Sequence, residues 1–195
     1  MNEFDRTILL WLNGLTGSFK QFDDLMRVVA SDYLIPLALS VVLVGTWFAA
    51  KRAEDRPRFQ RAALVGISSV GLTNVVVWLL NTSLQRERPF VPLGDELNLL
   101  FYSPTDPSFP ANAVAVGFAA GSAIWAVNRR LGIVVCIVAT IFGFSRLYAG
   151  VFWPTDIVGG AVVGVLVTWG TAWLGRFMEP LPTLAVRLAR AIGLA

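Results

Sequence analysis

Apolar residues occupy this chain in long blocks separated by short polar stretches, and the lengths of those blocks set the architecture. Five runs reach or approach the roughly 20 helical residues that cross a bilayer: 33–50, 62–80, 111–127, 131–149 and 156–177. Within each run nearly every helical face is apolar, the pattern of a helix that meets lipid on one side and other helices on the other. Residues 32–180 are therefore expected to form an all-α polytopic membrane bundle of about five transmembrane helices. Residues 1–31 read differently. "FDRTILLWLNGLTGSFKQFDDLMRVVA" mixes apolar and charged positions, which predicts one or two amphipathic helices at the membrane interface. A sixth crossing would place Asn13, Lys20, Asp23 and Asp24 in lipid at a cost of several kcal/mol. The tail, 181–195, sets Arg187 and Arg190 on one helical face and is expected to lie along the opposite surface.

Composition agrees with that reading. Of 195 residues, 55% are hydrophobic and only 15% charged, with a mean hydropathy of +0.64, which excludes an ordinary soluble domain of this length. The net charge of +3 does not point to nucleic acid, because the basic residues sit between apolar runs. Five fall in 51–61, two in 128–130, and Arg176, Arg187 and Arg190 follow the last run. If the runs alternate, these ten share one side, which is then cytoplasmic. The N-terminus, the loop 81–110 and the connection 150–155 face the extracytoplasmic side of the plasma membrane. The start, "MNEFDRTILLWLNG", carries acids where a signal peptide has basic residues. Cys136, the single cysteine, excludes an intrachain disulfide and reads as a packed hydrophobe. Ala113, Gly117, Gly121, and likewise Gly160 and Gly164, form small-residue stripes that let helix backbones approach.

Three stretches fall at the outer ends of the predicted helices: "NTSLQRERP" (81–89), "SFPANA" (108–113) and "SRLYAGVFWPTD" (145–156). In order, spacing and membrane placement they resemble the signature of the type 2 phosphatidic acid phosphatase (PAP2) superfamily, which includes bacterial lipid phosphatases and undecaprenyl diphosphate phosphatases. That signature runs K-x6-R-P, then P-S-G-H, then S-R-x5-H-x3-D, and the resemblance spans about residues 30–178. Arg88, Pro89, Pro110, Ser145, Arg146 and Asp156 match it. Asn81 stands at the lysine position, Ala111 at the serine, Asn112 at the variable glycine, Ala113 at the first histidine and Phe152 at the second. The chain contains no histidine at all.

The resemblance implies that the histidine at 152 would attack phosphorus while Asp156 orients it. The histidine at 113 would protonate the leaving oxygen, and the lysine, arginines and serine would hold phosphate oxygens. Without the general acid, worth about 10²–10⁴-fold, and without the nucleophile, that mechanism cannot run. What remains is a phosphate-binding set: Arg88 and Arg146, each able to grip an oxyanion bidentately, and the helix start at Ala111, Asn112 and Ala113. No cofactor or metal is implied. Asp156, deprived of its histidine, is expected to pair with Arg88 or Arg146, or to cap its own helix. Arg86 reads as a solvated loop charge, and Tyr148 and Trp153 as interfacial anchors.

Three functions stay open at this point. The protein binds a lipid phosphate, such as a polyprenyl (di)phosphate, in order to sense, carry or help flip it. Alternatively it hydrolyses one with a substitute nucleophile, Asp156, Ser145, Ser108 or Tyr102. Alternatively it keeps the fold as a structural or partner-binding protein.

Overall fold

The computed structural model describes residues 3–191. Nine α-helices run through them: α1 (Glu3–Asn13), α2 (Lys20–Val29), α3 (Leu34–Thr46), α4 (Arg56–Leu84), the single turn α5 (Phe90–Leu93), α6 (Asn112–Trp125), α7 (Arg129–Tyr148), α8 (Pro154–Phe177) and α9 (Leu181–Ala191). Of the expected tail, the last four residues and the side chain of Arg190 fall outside the described residues.

All five apolar runs are helical, but they are not five equivalent crossings. α4 with its preceding turn, α7 and α8 are each long and apolar enough to span a membrane. α4 starts six residues before its apolar run, because Arg56, Arg58 and Arg61 are no hindrance to a helix. α3, with 13 residues, is too short alone. It continues α2 across a 45° bend, and the two together satisfy the length and composition of a span. The boundary expected between 31 and 32 thus falls inside a bent helix pair. α6 has 14 residues, about 21 Å at 1.5 Å per residue, short of a hydrocarbon core of roughly 30 Å.

α6 is short because it starts deep, and it lies at the centre of the bundle. Asn112 in its first turn donates to Asn74 Oδ1 at 3.0 Å. Asn74 lies ten residues before the end of α4, so α6 begins about 15 Å below that end. Its buried positions, among them Ala115, Gly117, Ala119, Gly121 and Ala123, are small on nearly all sides, so α3, α4, α7 and α8 all pack on it. A Cβ on Gly160 would sit 2.6 Å from the Ala111 carbonyl oxygen, and one on Gly164 would strike the Ala115 carbonyl. The α8 stripe therefore rests directly on the α6 backbone. The α6 stripe turns the other way, with Gly117 against Ala139 and Gly121 against Cys136 of α7.

The N-terminal helices are folded with their polar side inward. α1 buries Asp5, Leu9 and Asn13 at four-residue spacing, one face of a helix, and α2 buries Asp23 and Met26. Phe4, Trp11, Phe22, Leu25 and Val28 are exposed on the outside. Burial costs the polar groups little because each is bonded. Asn13 donates to the carbonyls of Asn98 and Tyr148 and accepts from Asn98 N–H, while Asp23 accepts from Tyr148 Oη at 2.7 Å and from Gly17 N–H at 2.9 Å. These helices cover the ends of α7 and α8 that carry the third motif.

Candidate functional site

The three motif stretches converge at one end of the bundle. α8 opens with Pro154 in its first turn, where proline is pre-organised for a helix, and places Asp156 in that turn, fully buried. One Asp156 oxygen accepts from the Trp153 N–H at 2.9 Å, which caps the helix. The other takes Arg86 Nη1 at 2.6 Å, and Arg86 Nη2 reaches Asp5 Oδ2 at 2.5 Å. Asp5 also accepts from Thr155 N–H at 3.1 Å and from Thr155 Oγ1 at 2.7 Å.

This knot corrects two expectations. Arg86 is no solvated loop charge, and Asp156 pairs with neither Arg88 nor Arg146. The reason is tertiary: Asp5 arrives from α1 as a second buried carboxylate, and Arg86 lies between the two acids, one terminal nitrogen on each, so that neither is left without a cationic partner.

Arg88 and Arg146 lie beside the knot. The Val151 peptide links them, its carbonyl accepting from Arg88 Nη1 at 3.2 Å and its N–H donating to the Arg146 carbonyl at 3.0 Å. Arg88 Nε and Nη2 donate to the Asp106 carbonyl at 2.7 Å and to Asp106 Oδ2 at 2.9 Å. Burial lowers the Arg88 guanidinium pKa and Asp106 pulls it back up. Arg146 Nη2 bonds Asp32, which also accepts from Tyr102 Oη at 2.8 Å. That hydrogen bond to the carboxylate raises the Tyr102 pKa. The Nε of Arg146 is buried and has no acceptor among the described residues.

Aromatic rings floor the site. The Arg88 guanidinium lies 4.6 Å from the centre of the Phe152 ring, and that of Arg146 lies 4.4 Å from the Phe101 ring, both within cation–π range. Phe152, at the position of the second family histidine, is 7% exposed and packs with Ala111, Val114 and Val151.

The remaining expected ligands divide. Ala111 is buried, and its N–H is spent on the Asp156 carbonyl at 3.0 Å, so it offers no donor to an anion, contrary to expectation. α6 has no side-chain cap at its N-terminus, so Asn112 and Ala113 stand in a first turn whose N–H groups lack side-chain partners. The Asn112 carboxamide turns aside to Asn74. Asn81 is half-buried in the last turn of α4, its Oδ1 without a donor among the described residues.

Of the substitute nucleophiles, Ser145 and Ser108 are fully buried and donate to carbonyls of Phe142 and Glu87. Tyr148 and Trp153 are also buried, at 1% and 3% exposure, so they are not interfacial anchors. Their polar tips are met inside the protein, by Asp23 and by the Glu87 carbonyl at 2.9 Å.

Asp5, Asp32, Arg86 and Asp106 carry most of the site's electrostatics and match no fixed position of the motifs. Their one sequence signal is that acids in an apolar membrane chain need partners. A cleft of about 410 Å3, lined by residues 85–88 and 103–107 with Phe90 and Val91, opens beside Arg88.

Comparison with known proteins places this geometry. The PAP2 superfamily pattern matches residues 62–178. The chain is 26% identical over 181 residues to the undecaprenyl-diphosphatase BcrC of Bacillus subtilis strain 168, covering 93% of this chain and 89% of that one. It is 31% identical over 163 residues to the bacitracin transport permease protein BcrC of Bacillus licheniformis, covering 84% and 76%. In fold it is similar to LpxE of Aquifex aeolicus, with a TM-score of 0.66 at 23% identity over 87% of this chain and 95% of that one. It is also similar to the first transmembrane PAP2 type phosphatidylglycerolphosphate phosphatase from Bacillus subtilis, with a TM-score of 0.62 at 18% identity over 92% and 90%.

Proposed function

The chain belongs to the PAP2 superfamily of membrane lipid phosphatases, and from that premise we propose a protein that holds a lipid phosphate without hydrolysing it. The ligand class is a polyprenyl phosphate or diphosphate, in keeping with relatives named undecaprenyl-diphosphatases. The observation that carries the proposal is the packing of Phe152 directly under Arg88. An apolar ring that can neither attack phosphorus nor take a proton fills the nucleophile's place, while the arginine that would grip the phosphate remains above it. Removing polarity there strengthens each charged hydrogen bond that the arginines make.

A hydrolytic role with another nucleophile has little support. Asp156 has both oxygens engaged, the serines donate to carbonyls in fully buried positions, and Tyr102 donates to Asp32. The orientation belongs to the same proposal. Ten of the sixteen basic residues lie in stretches away from the motifs, which supports a site on the extracytoplasmic side of the plasma membrane.

The test is a pair of assays on the purified protein: phosphate release from undecaprenyl diphosphate, and affinity for a polyprenyl monophosphate in detergent or nanodiscs. Binding without release is expected. Turnover that disappears in Asp156→Asn and persists in Arg61→Ala would sink the proposal in favour of an enzyme.

A further inference from the structure

Four ion pairs surround the site, and they are of two kinds. In the Arg86 knot both carboxylates are sealed, with Asp5 and Asp156 side chains at 1% and 0% exposure. In the other two the exposure is lopsided. Arg88 is 5% exposed and its partner Asp106 63%, while Arg146 is 6% exposed and Asp32 42%. The two guanidiniums are fixed in the protein, and the two carboxylates come to them from the surface. Asp106 lies on the irregular stretch between Glu96 and Asn112, and Asp32 lies at the bend between α2 and α3.

We propose that Asp32 and Asp106 are resident stand-ins for phosphate oxygens, and that a phosphate monoester binds by displacing them from Arg146 and Arg88. The inference rests on the lipid-phosphate reading above and specifies how that site is gated.

Three observations carry it. First, each carboxylate gives its arginine a single oxygen, Asp106 Oδ2 to Arg88 Nη2 and Asp32 Oδ1 to Arg146 Nη2, and a phosphate oxygen can accept from the same nitrogen without moving the guanidinium. Second, leaving is cheap for these two acids. They are already partly hydrated, so their release strands no carboxylate and the incoming phosphate re-pairs the buried guanidiniums, whereas moving Asp5 or Asp156 would strand a buried charge.

Third, the resident set leaves Arg146 incompletely satisfied: Asp32 meets its Nη2, while the buried Nε has no acceptor among the described residues. A tetrahedral phosphate has oxygens enough to serve Nε as well as Nη2. Once Asp32 and Asp106 swing away, Arg88 and Arg146 supply two positive charges to a phosphate dianion. The Arg86 knot is untouched and holds the scaffold still.

Displacement has a structural consequence. Asp32 is also the acceptor of Tyr102, so its release unfastens the α2–α3 bend from the 97–111 stretch. Occupancy of the site is thereby coupled to the shape of the N-terminal cover.

The experiment uses the full-length protein in nanodiscs with two probes, inorganic phosphate and farnesyl monophosphate, and the variants Asp32→Asn, Asp106→Asn, Arg88→Ala and Arg146→Ala. Asparagine keeps the shape and removes the competing charge, so each acid variant is expected to bind farnesyl monophosphate about two- to fivefold more tightly, the range of an exposed ion pair. Each arginine variant is expected to bind it more weakly. Tightening for inorganic phosphate as well would assign the recognition to the phosphate group alone; tightening for the farnesyl ester only would assign it to a lipid headgroup.

Hydrogen exchange provides a readout that needs no variant: amides of 31–33 and 98–107 are expected to exchange faster once farnesyl monophosphate is bound. Weaker or unchanged binding in both acid variants, with arginine dependence intact, overturns the displacement and leaves the binding site standing. Indifference of affinity to both arginines overturns the lipid-phosphate reading itself, and the displacement with it. Unchanged exchange in both segments on binding also overturns the displacement.

Discussion

The knot at the start of α8 and the pair Arg88 and Arg146 lie side by side and use the same residue types, yet they solve opposite problems. At α8 two carboxylates meet the helix end: Asp156 takes the Trp153 N–H and Asp5 takes the Thr155 N–H, with Arg86 bridging the two acids. Helix dipole, caps and ion pairs are satisfied internally, and nothing is left for a ligand. At Arg88 and Arg146 the carboxylates that balance the charge are surface acids. Satisfied buried polar networks rigidify, whereas incomplete ones are costly unless something completes them. The first region is built to hold the fold and the second to exchange its partner.

That comparison breaks most visibly if the knot proves dispensable. Arg86→Met would leave Asp5 and Asp156 buried and unpaired, and losing one partner of a buried pair costs about 3–5 kcal/mol. Denaturant unfolding in detergent checks this. A loss comparable to that of a surface pair would mean that the two regions do not differ in kind.

Next in size is the binding side. Arg88→Ala and Arg146→Ala are each expected to weaken polyprenyl monophosphate binding about ten- to a hundredfold, the worth of one charged hydrogen-bonding group. Equal affinity in wild type and both variants, measured by equilibrium binding, would reduce these arginines to structural ties.

Restoring both histidines, Ala113→His with Phe152→His, sharpens the contrast further. Binding is expected to persist and hydrolysis to stay absent, because Asp156 is held by Trp153 N–H and Arg86 and is not free to orient an imidazole. Phosphate release by that double variant above the wild-type level would show the knot to be looser than its geometry. The smallest effect is on stability at the surface acids. Asp106→Asn is expected to destabilise less than Arg86→Met does, because the Asp106 and Val151 carbonyls still accept from the buried Arg88 and an asparagine oxygen can still take its Nη2. A larger loss would move Asp106 into the scaffold.

The gross architecture was legible from pattern alone. The five apolar runs became α3, α4, α6, α7 and α8 with boundaries shifted by a few residues, since an apolar helix in lipid needs no partner to satisfy its backbone. The family was legible too, because Arg88, Pro110, Arg146 and Asp156 keep their motif spacing, and spacing is a local property. The small-residue stripes announced close helix contacts, but not that the α8 glycines would meet the carbonyls of Ala111 and Ala115 while the α6 glycines faced α7. Facing is decided by which neighbour arrives on which side.

The sequence alone thus determined an apolar helical bundle, the positions of the motif stretches along it and the absence of imidazole chemistry. Only the tertiary structure decided who pairs with whom. Asp5 lies 81 residues from Arg86, Asp32 lies 114 from Arg146, and Asp106 lies 18 from Arg88. No periodicity or spacing rule reaches across such separations. A charge in an apolar chain declares that it needs a partner, because leaving it bare is costly. Which partner it finds depends on the helices that packing brings within a few ångströms: α1 turns Asp5 inward, where Arg86 and Thr155 meet it.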